Sequence, residues 1–467
     1  MQIINVERSL GNTPKCGEIP GQKDILRQVM TVAWPSMLEM LLVSLVGLVD
    51  TAMVSSLGES AIAAVGITTQ PKFIGLCFFM SLSMAVSALA ARRKGEQNEA
   101  SATQVLRMTL VIALVMSLVV SVLFVGFAKP ICYLAGAGED IVQASAEYLQ
   151  IIMGGIVFTV VGNIINAVQR GCGNTRLSMK TNVASNLVNI VLNYLLIGGH
   201  FGFPALGIRG AAIATVIGTF VGCVMSIASL FSKHTYIHAR KILTPSFGGW
   251  FDHRNLRSLV DVGGSAFVEQ IFMRVGFLAF SLIVAKLGTL EMAAHVIGMN
   301  VMTISFCIGD GLQTASIALS GQNLGRNRPD MARIYASGCQ RVGFVCAVIL
   351  SVVLFAFNQQ IYHLFSTDPV VLSYGSTIIL LLCLILFFQI SQVIYGGVLR
   401  SAGDTKYTAM VSLISITIVR VSISWVLCYP MGMGLAGAWL GILFQQVLTW
   451  YLFWKRFHKG EWTQIEI

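Results

Sequence analysis

Four carboxylates, Glu39, Asp50, Glu269 and Asp310, stand inside stretches built almost wholly of apolar residues. Shielding a carboxylate from water disfavours its charge. Such a group can take up and release a proton, or hold a metal cation, near neutral pH. An ionisable residue in hydrocarbon is costly and is a functional candidate by default. Glu39 and Asp50 are eleven residues apart. That is close to three helical turns, so both project from nearly one face, with Asp50 about 16 Å farther along. A second pattern is Asn182, Asn186, Asn189 and Asn193, whose spacing draws one stripe on a helix. A single Asn reads as glue between helices; four in line suggest a surface facing water or an ion. Asn163 and Asn166 in the preceding segment, and Thr215 in the following one, complete that group. The ion-coupling candidates are therefore Asp50, Glu39, Asn189, Asn193, Asn163 and Thr215.

The second half of the chain answers the first. Glu39 … Leu57-Gly58 … Ala63-Ala64 … Gly95 reappears 230 residues on as Glu269 … Leu287-Gly288 … Ala293-Ala294 … Gly325. Arg170-x-x-Gly173-Asn174-Thr175 is matched by Arg400-x-x-Gly403-Asp404-Thr405, and Leu206-Gly207-Ile208-x-Gly210-Ala211 by Met433-Gly434-Leu435-x-Gly437-Ala438. A fixed offset over this length means two copies of one unit, a common plan of secondary transporters. Glu269 thus marks a second candidate cavity, shared with Gln389, Gln392, Arg274 and Asp310. Arg274 lies about 140° around the helix from Glu269, an awkward angle for an ion pair within one helix. Ser412, Ile416, Val419 and Ile423 replace the Asn stripe in the second half, so the halves are chemically unequal. Arg420, deep in an apolar segment, is expected to pair with an acid, the alternative being contact with an anionic substrate, and His295 is expected to pack at a helix start.

The elements that must position these residues follow from composition. Of 467 residues 55% are hydrophobic and 11% charged, and the mean hydropathy is +0.76. A soluble domain carries about 25% charged residues, and a spanning helix needs roughly 20 apolar ones. The expected class is an all-α integral membrane protein, about twelve transmembrane helices in two pseudo-two-fold-related six-helix lobes. Spans are expected at 25–54, 60–91, 104–128, 141–168, 177–199 and 209–232, then 259–285, 291–321, 337–357, 371–398, 407–429 and 435–454. The domain plan is a tail over 1–24, a first lobe over 25–232, a linker over 233–258, a second lobe over 259–455 and a tail over 456–467. The net charge of +10 comes from 31 basic residues, most of them in breaks that alternate spans place on one side with both termini. The positive-inside bias makes that side cytoplasmic. Scattering over short turns argues against nucleic-acid binding. The ten cysteines lie mostly singly in apolar runs, without metal-ligand spacing, and read as packing residues. The polar first 24 residues lack the apolar core of a cleavable signal peptide.

In order and repeated, several motifs together resemble the multidrug and toxic compound extrusion (MATE) family. They are Pro35 … Glu39 … Val49-Asp50-Thr51 … Leu57-Gly58 … Ala63-Ala64, Arg170-Gly171-x-Gly173-Asn174-Thr175, Gly321-Gln322-x-Leu324-Gly325 and Leu399-Arg400-x-x-Gly403-Asp404-Thr405. The resemblance runs from about Ile25 to Trp454. It implies a V-shaped pair of six-helix lobes, alternating access, and export of organic cations or drugs driven by inward H⁺ or Na⁺. It implies that Asp50 is the first-lobe coupling acid and Glu269 the second-lobe acid. Asn189 matches an Asn of the first-lobe ion site in some members, so a Na⁺ would bind at Asp50, Asn189 and Asn193. Two positions depart from the pattern: Asn193 stands where those members carry a second acid, and Gln389 where others carry an Asp.

The expected function is a secondary multidrug or organic-cation exporter, a monomer in a bacterial plasma membrane, using no cofactor beyond its coupling ion. The rival within transport is a flippase for a lipid-linked precursor or an organic-anion exporter, for which Arg274, Arg420 and Lys72 speak. An enzyme is not expected, since HExxH, GxSxG and Walker A motifs are missing from the sequence.

Overall fold

The computed structural model describes residue 10 and residues 13–232, 235–243 and 252–465. Parts of the expected linker (233–234 and 244–251) and of both tails lie outside the described residues. Twelve long helical segments follow one another, and no strand occurs among the described residues. In the first half they are α1 (Gln22–Ser55), α2 (Glu59–Gly95), α3 (Glu99–Gly126), α4 (Val142–Gly154 and Ile156–Gly171, bent by 45° at Gly155), α5 (Thr175–Gly198) and α6 (Gly207–Ser229). In the second they are α7 (His253–Ala285), α8 (Thr289–Gly325), α9 (Pro329–Ala356), α10 (Pro369–Ser401), α11 (Thr405–Cys428) and α12 (Gly434–Lys459). Ten are long and apolar enough to cross a membrane, and the bent α4 makes an eleventh. The remaining one, α5, has 24 residues, about 36 Å at 1.5 Å per residue. It is long enough to span, and its four Asn residues lower its hydropathy.

The repeat is written in the backbone as well as in the motifs. Gly58 and Gly288 (φ 104° and 151°), Gln97 and Asn327 (55° and 57°), and Gly173 and Gly403 (81° and 92°) are pairs at the 230-residue offset. Gly207 and Gly434 (55° and 52°) repeat at 227. All sit at or beside helix ends, where a positive φ lets the chain turn.

The chain divides into two compact units, Leu41–Gly263 and Met1–Met40 with Gly264–Ile467. This differs from a lobe beginning at residue 25. Ile25, Val29, Val32 and Ala33 of α1 bury themselves against Leu312, Ala315, Ala318, Leu319 and Ile334 of α8 and α9, so the start of α1 belongs to the core of the second unit. The expected tails are packed too. Arg333 donates to Leu10 O (2.8 Å), and Trp462 is fully buried beside Phe457. In the first-named unit Arg107 of α3 ties down the described linker through Ile242 O and Lys241 O (both 2.9 Å), and Lys241 pairs with Glu99 (2.6 Å). Outward faces carry bare apolar side chains: Ile74, Leu118 and Val122 are all about two-thirds exposed, as are Leu278, Phe344 and Val352. Such belts are stable only against hydrocarbon.

Candidate functional site

Asp50 ends up on the α1 stretch that belongs to the unit Leu41–Gly263. It borders a cavity of about 280 Å³ lined also by Thr51, Lys72, Tyr148, Asn193 and Thr215. The Asn stripe of α5 supplies its partners. Asn193 Nδ2 donates to Asp50 Oδ1 at 2.7 Å. Amide nitrogen and oxygen are told apart by the network they join. One orientation of Asn189 satisfies every neighbour: its nitrogen donates to both Asp50 oxygens (2.9 and 3.2 Å) and its oxygen accepts from Thr215 Oγ1 (3.2 Å). Thr215 reaches Asn189 because α6 lies close on α5. A Cβ added at Gly218 would sit 2.8 Å from Ser185 O and 3.0 Å from Asn189 Cβ. Lys72 shares the cavity and the electrostatic field of Asp50 without closing an ion pair. The carboxylate is thus framed by neutral donors, beside a wettable space, with a cation at a distance. It can lose its charge without orphaning a buried counter-ion.

The stripe does not act as one surface. Asn182 accepts from Asn166 (3.5 Å), and Asn166 Oδ1 takes the hydroxyls of Thr181 and Ser226 (both 3.1 Å). That knot joins α4, α5 and α6 about 11 Å along α5 from Asn189, at 1.5 Å per residue. Asn163, expected at the ion site, is exposed on another face of α4. Glu39 is also not part of the Asp50 group. It is fully buried and counts with the other unit. Sharing a helix face was not enough, because three turns separate the two carboxylates by about 16 Å.

The second unit treats its acid differently. Glu269 accepts from Arg400 Nη2 (2.6 Å) and Ser412 Oγ (2.7 Å), all three buried. Arg400 lies near the end of α10, and its side chain is buried within the bundle. The ion-pair partner of Glu269 is Arg400, and Arg274 is half-buried five residues along α7. Asp310 lies within the electrostatic field of Arg400 but forms no ion pair with it. Gln389 accepts from Ser305 (3.0 Å), and Gln392 donates to Gln446. Much of the polar capacity expected to line a cavity here goes to bonds between helices.

Arg420 overturns its expected pairing with an acid. It is 2% exposed, makes no ion pair among the described residues, and stacks its guanidinium 4.0 Å from the Phe280 ring centroid and 4.8 Å from that of Phe277. Desolvated cation–π contacts offset about 2 kcal/mol, whereas burying an unpaired ion costs several kcal/mol. His295 lies buried between Phe280 and Trp439, as a packing residue should (centroids 5.4 and 5.7 Å). The sequence offered no sign of this aromatic sleeve, whose members come from three separate helices. No cluster of three His, Cys, Asp or Glu occurs among the described residues. Burial pushes the Cys172 thiol, between α4 and α5, up to about 12, so it is no nucleophile.

Known proteins fit this geometry. A probable multidrug resistance protein NorM of Thermotoga maritima is 25% identical over 451 residues, covering 96% of this chain and 94% of its own. The multidrug resistance protein MdtK of Yersinia pestis is 25% identical over 432 residues, covering 89% and 92%. A solved structure described as an outward-facing conformation of a multidrug resistance MATE family transporter of the MOP superfamily shares the fold. Its TM-score is 0.85 at 20% identity, over 94% of this chain and 98% of that one. The MatE family model matches residues 35–195 and, again, 265–426, once in each half of the repeat. The chain belongs to the MATE family of membrane transporters.

Proposed function

We propose that this transporter exports small organic cations by antiport, with Asp50 as the carrier of the coupling ion. The observation that carries the reading is the Asp50 cradle: one carboxylate, two amide donors and a Thr-anchored Asn189 beside a 280 Å³ cavity. Multidrug resistance proteins among the relatives support the substrate class. The cradle favours a proton over Na⁺. A proton needs a single carboxylate oxygen, and the amides already turn their N–H groups to the charged form. A Na⁺ would need oxygen ligands, so both amides would have to rotate. The charge bias of the breaks supports cytoplasmic termini in a bacterial plasma membrane, and a monomer suffices, since each cradle is completed within one chain.

The test is dye efflux from proteoliposomes under an imposed pH gradient, with ethidium as the cationic probe. Wild-type protein should move ethidium under ΔpH alone, and Asp50→Asn should not. Efflux driven only by a Na⁺ gradient would replace the proton with sodium. Undiminished ΔpH-driven efflux in Asp50→Asn would remove Asp50 from coupling.

A further inference from the structure

Arg420 begins the last stretch of α11, directly after a π-helical segment, Leu413–Val419. Such segments are rare and are frequent at functional sites. Its Nε and Nη2 are buried without an acceptor among the described residues. Two further polar atoms of the same sleeve share that condition, Trp439 Nε1 on α12 and His295 Nδ1 on α8. Arg420 and His295 both border Phe280, His295 borders Trp439, and the imidazole feels the charge of the guanidinium.

The acids on α7 and α8 that flank the sleeve are engaged elsewhere or lie turns away. Glu269 is bound to Arg400 and sits two helical turns before Phe277, about 12 Å along α7. Asp310 is fifteen residues beyond His295 on α8, about 22 Å away along the axis. Glu291, one turn before His295, is held by the Tyr374 hydroxyl (3.0 Å) and forms no ion pair with Arg420. Phenyl faces soften a guanidinium's burial but leave its N–H groups unanswered and its charge uncompensated.

We infer that the sleeve of Arg420, Phe277, Phe280, His295 and Trp439 is a binding site for a small monovalent anionic group. Its floor is the Arg420 fork, with Trp439 Nε1 as a second donor, and its walls are aromatic. Two sources supply that chemistry: an inorganic anion of chloride size, or the carboxylate of a transported compound. A carboxylate there would make the cargo zwitterionic, its cationic end suiting the proposed export function. The anion site itself does not depend on that function.

The experiment is thermal unfolding of the full-length protein in lipid nanodiscs. The sole anion is varied among chloride, acetate and the bulky sulfonate MES. Chloride or acetate should raise the melting temperature saturably by about 3 °C or more over MES, since a ligand of the native state stabilises it by mass action. Arg420→Met, which keeps the side chain's length without its charge, should abolish the rise. A larger response to chloride assigns an inorganic anion, and a larger response to acetate assigns a carboxylate. Asp50→Asn should keep the rise, which separates this site from the coupling site; its loss there would place the anion away from Arg420 and overturn the assignment. Equal melting temperatures of the wild type in all three anions would also overturn it. Should Arg420→Met not fold, equilibrium binding of radiolabelled chloride and acetate to the unaltered protein decides: saturable single-site binding supports the site, and its absence refutes it.

Discussion

Asp50 and Glu269 are both acids within a duplicated framework, one half-buried and one buried, and their surroundings differ. Asp50 is surrounded by amides, which stabilise a carboxylate without requiring it, and a cavity gives it access to an ion. Glu269 is welded to a guanidinium and a hydroxyl. Protonating Asp50 leaves neutral hydrogen-bond partners, with Lys72 at a distance; protonating Glu269 takes the charge out of its buried ion pair with Arg400. Duplication supplied the scaffold twice, but these two acids are not repeat mates: Glu269 answers Glu39, and Phe280 stands where the second copy would carry Asp50.

The contrast can be broken by substitution. Asp50→Asn should abolish ΔpH-driven efflux while leaving unfolding stability within about 0.5 kcal/mol, as expected where no buried counter-charge is orphaned. Glu269→Gln should do the reverse. Losing one member of a buried pair costs about 3–5 kcal/mol, measurable by denaturant unfolding in detergent, while efflux by the surviving folded protein stays gradient-dependent. A Glu269→Gln protein as stable as wild type would unmake the distinction.

Smaller changes sharpen it. Asn193→Ala removes the 2.7 Å donor to Asp50. A hydrogen bond to a charged group is worth about 1.5 kcal/mol, so efflux rate should fall by about tenfold. Gly218→Val forces α6 away from α5 and should lower stability by about 1–3 kcal/mol through overpacking, with a parallel loss of efflux as Thr215 leaves Asn189. Asn163→Ala, on an exposed face, should change stability by less than about 0.5 kcal/mol and leave efflux intact.

The fold was legible because its signals are periodic and redundant. Apolar runs marked all twelve spans to within several residues, and repeated Gly positions carried the duplication into matching left-handed φ values. Asp50 with Asn189, Asn193 and Thr215 was legible because an i, i+4 stripe on one helix must face something polar. Neighbours set by tertiary packing were not. Arg400 lies near a helix end, and a long side chain reaching inward leaves no trace in spacing. Glu39 shared a helix face with Asp50, but face says nothing about depth. Arg420 carried an expectation of a carboxylate partner from general cost alone, and that cost does not specify which chemistry meets it.

Proton release on substrate binding tests the central claim most directly. Ethidium added to purified protein in weakly buffered solution should release protons from the wild type and from folded Glu269→Gln, and none from Asp50→Asn. Release that persists in Asp50→Asn and disappears in Glu269→Gln would contradict the account, placing the carrier in the unit read here as locked.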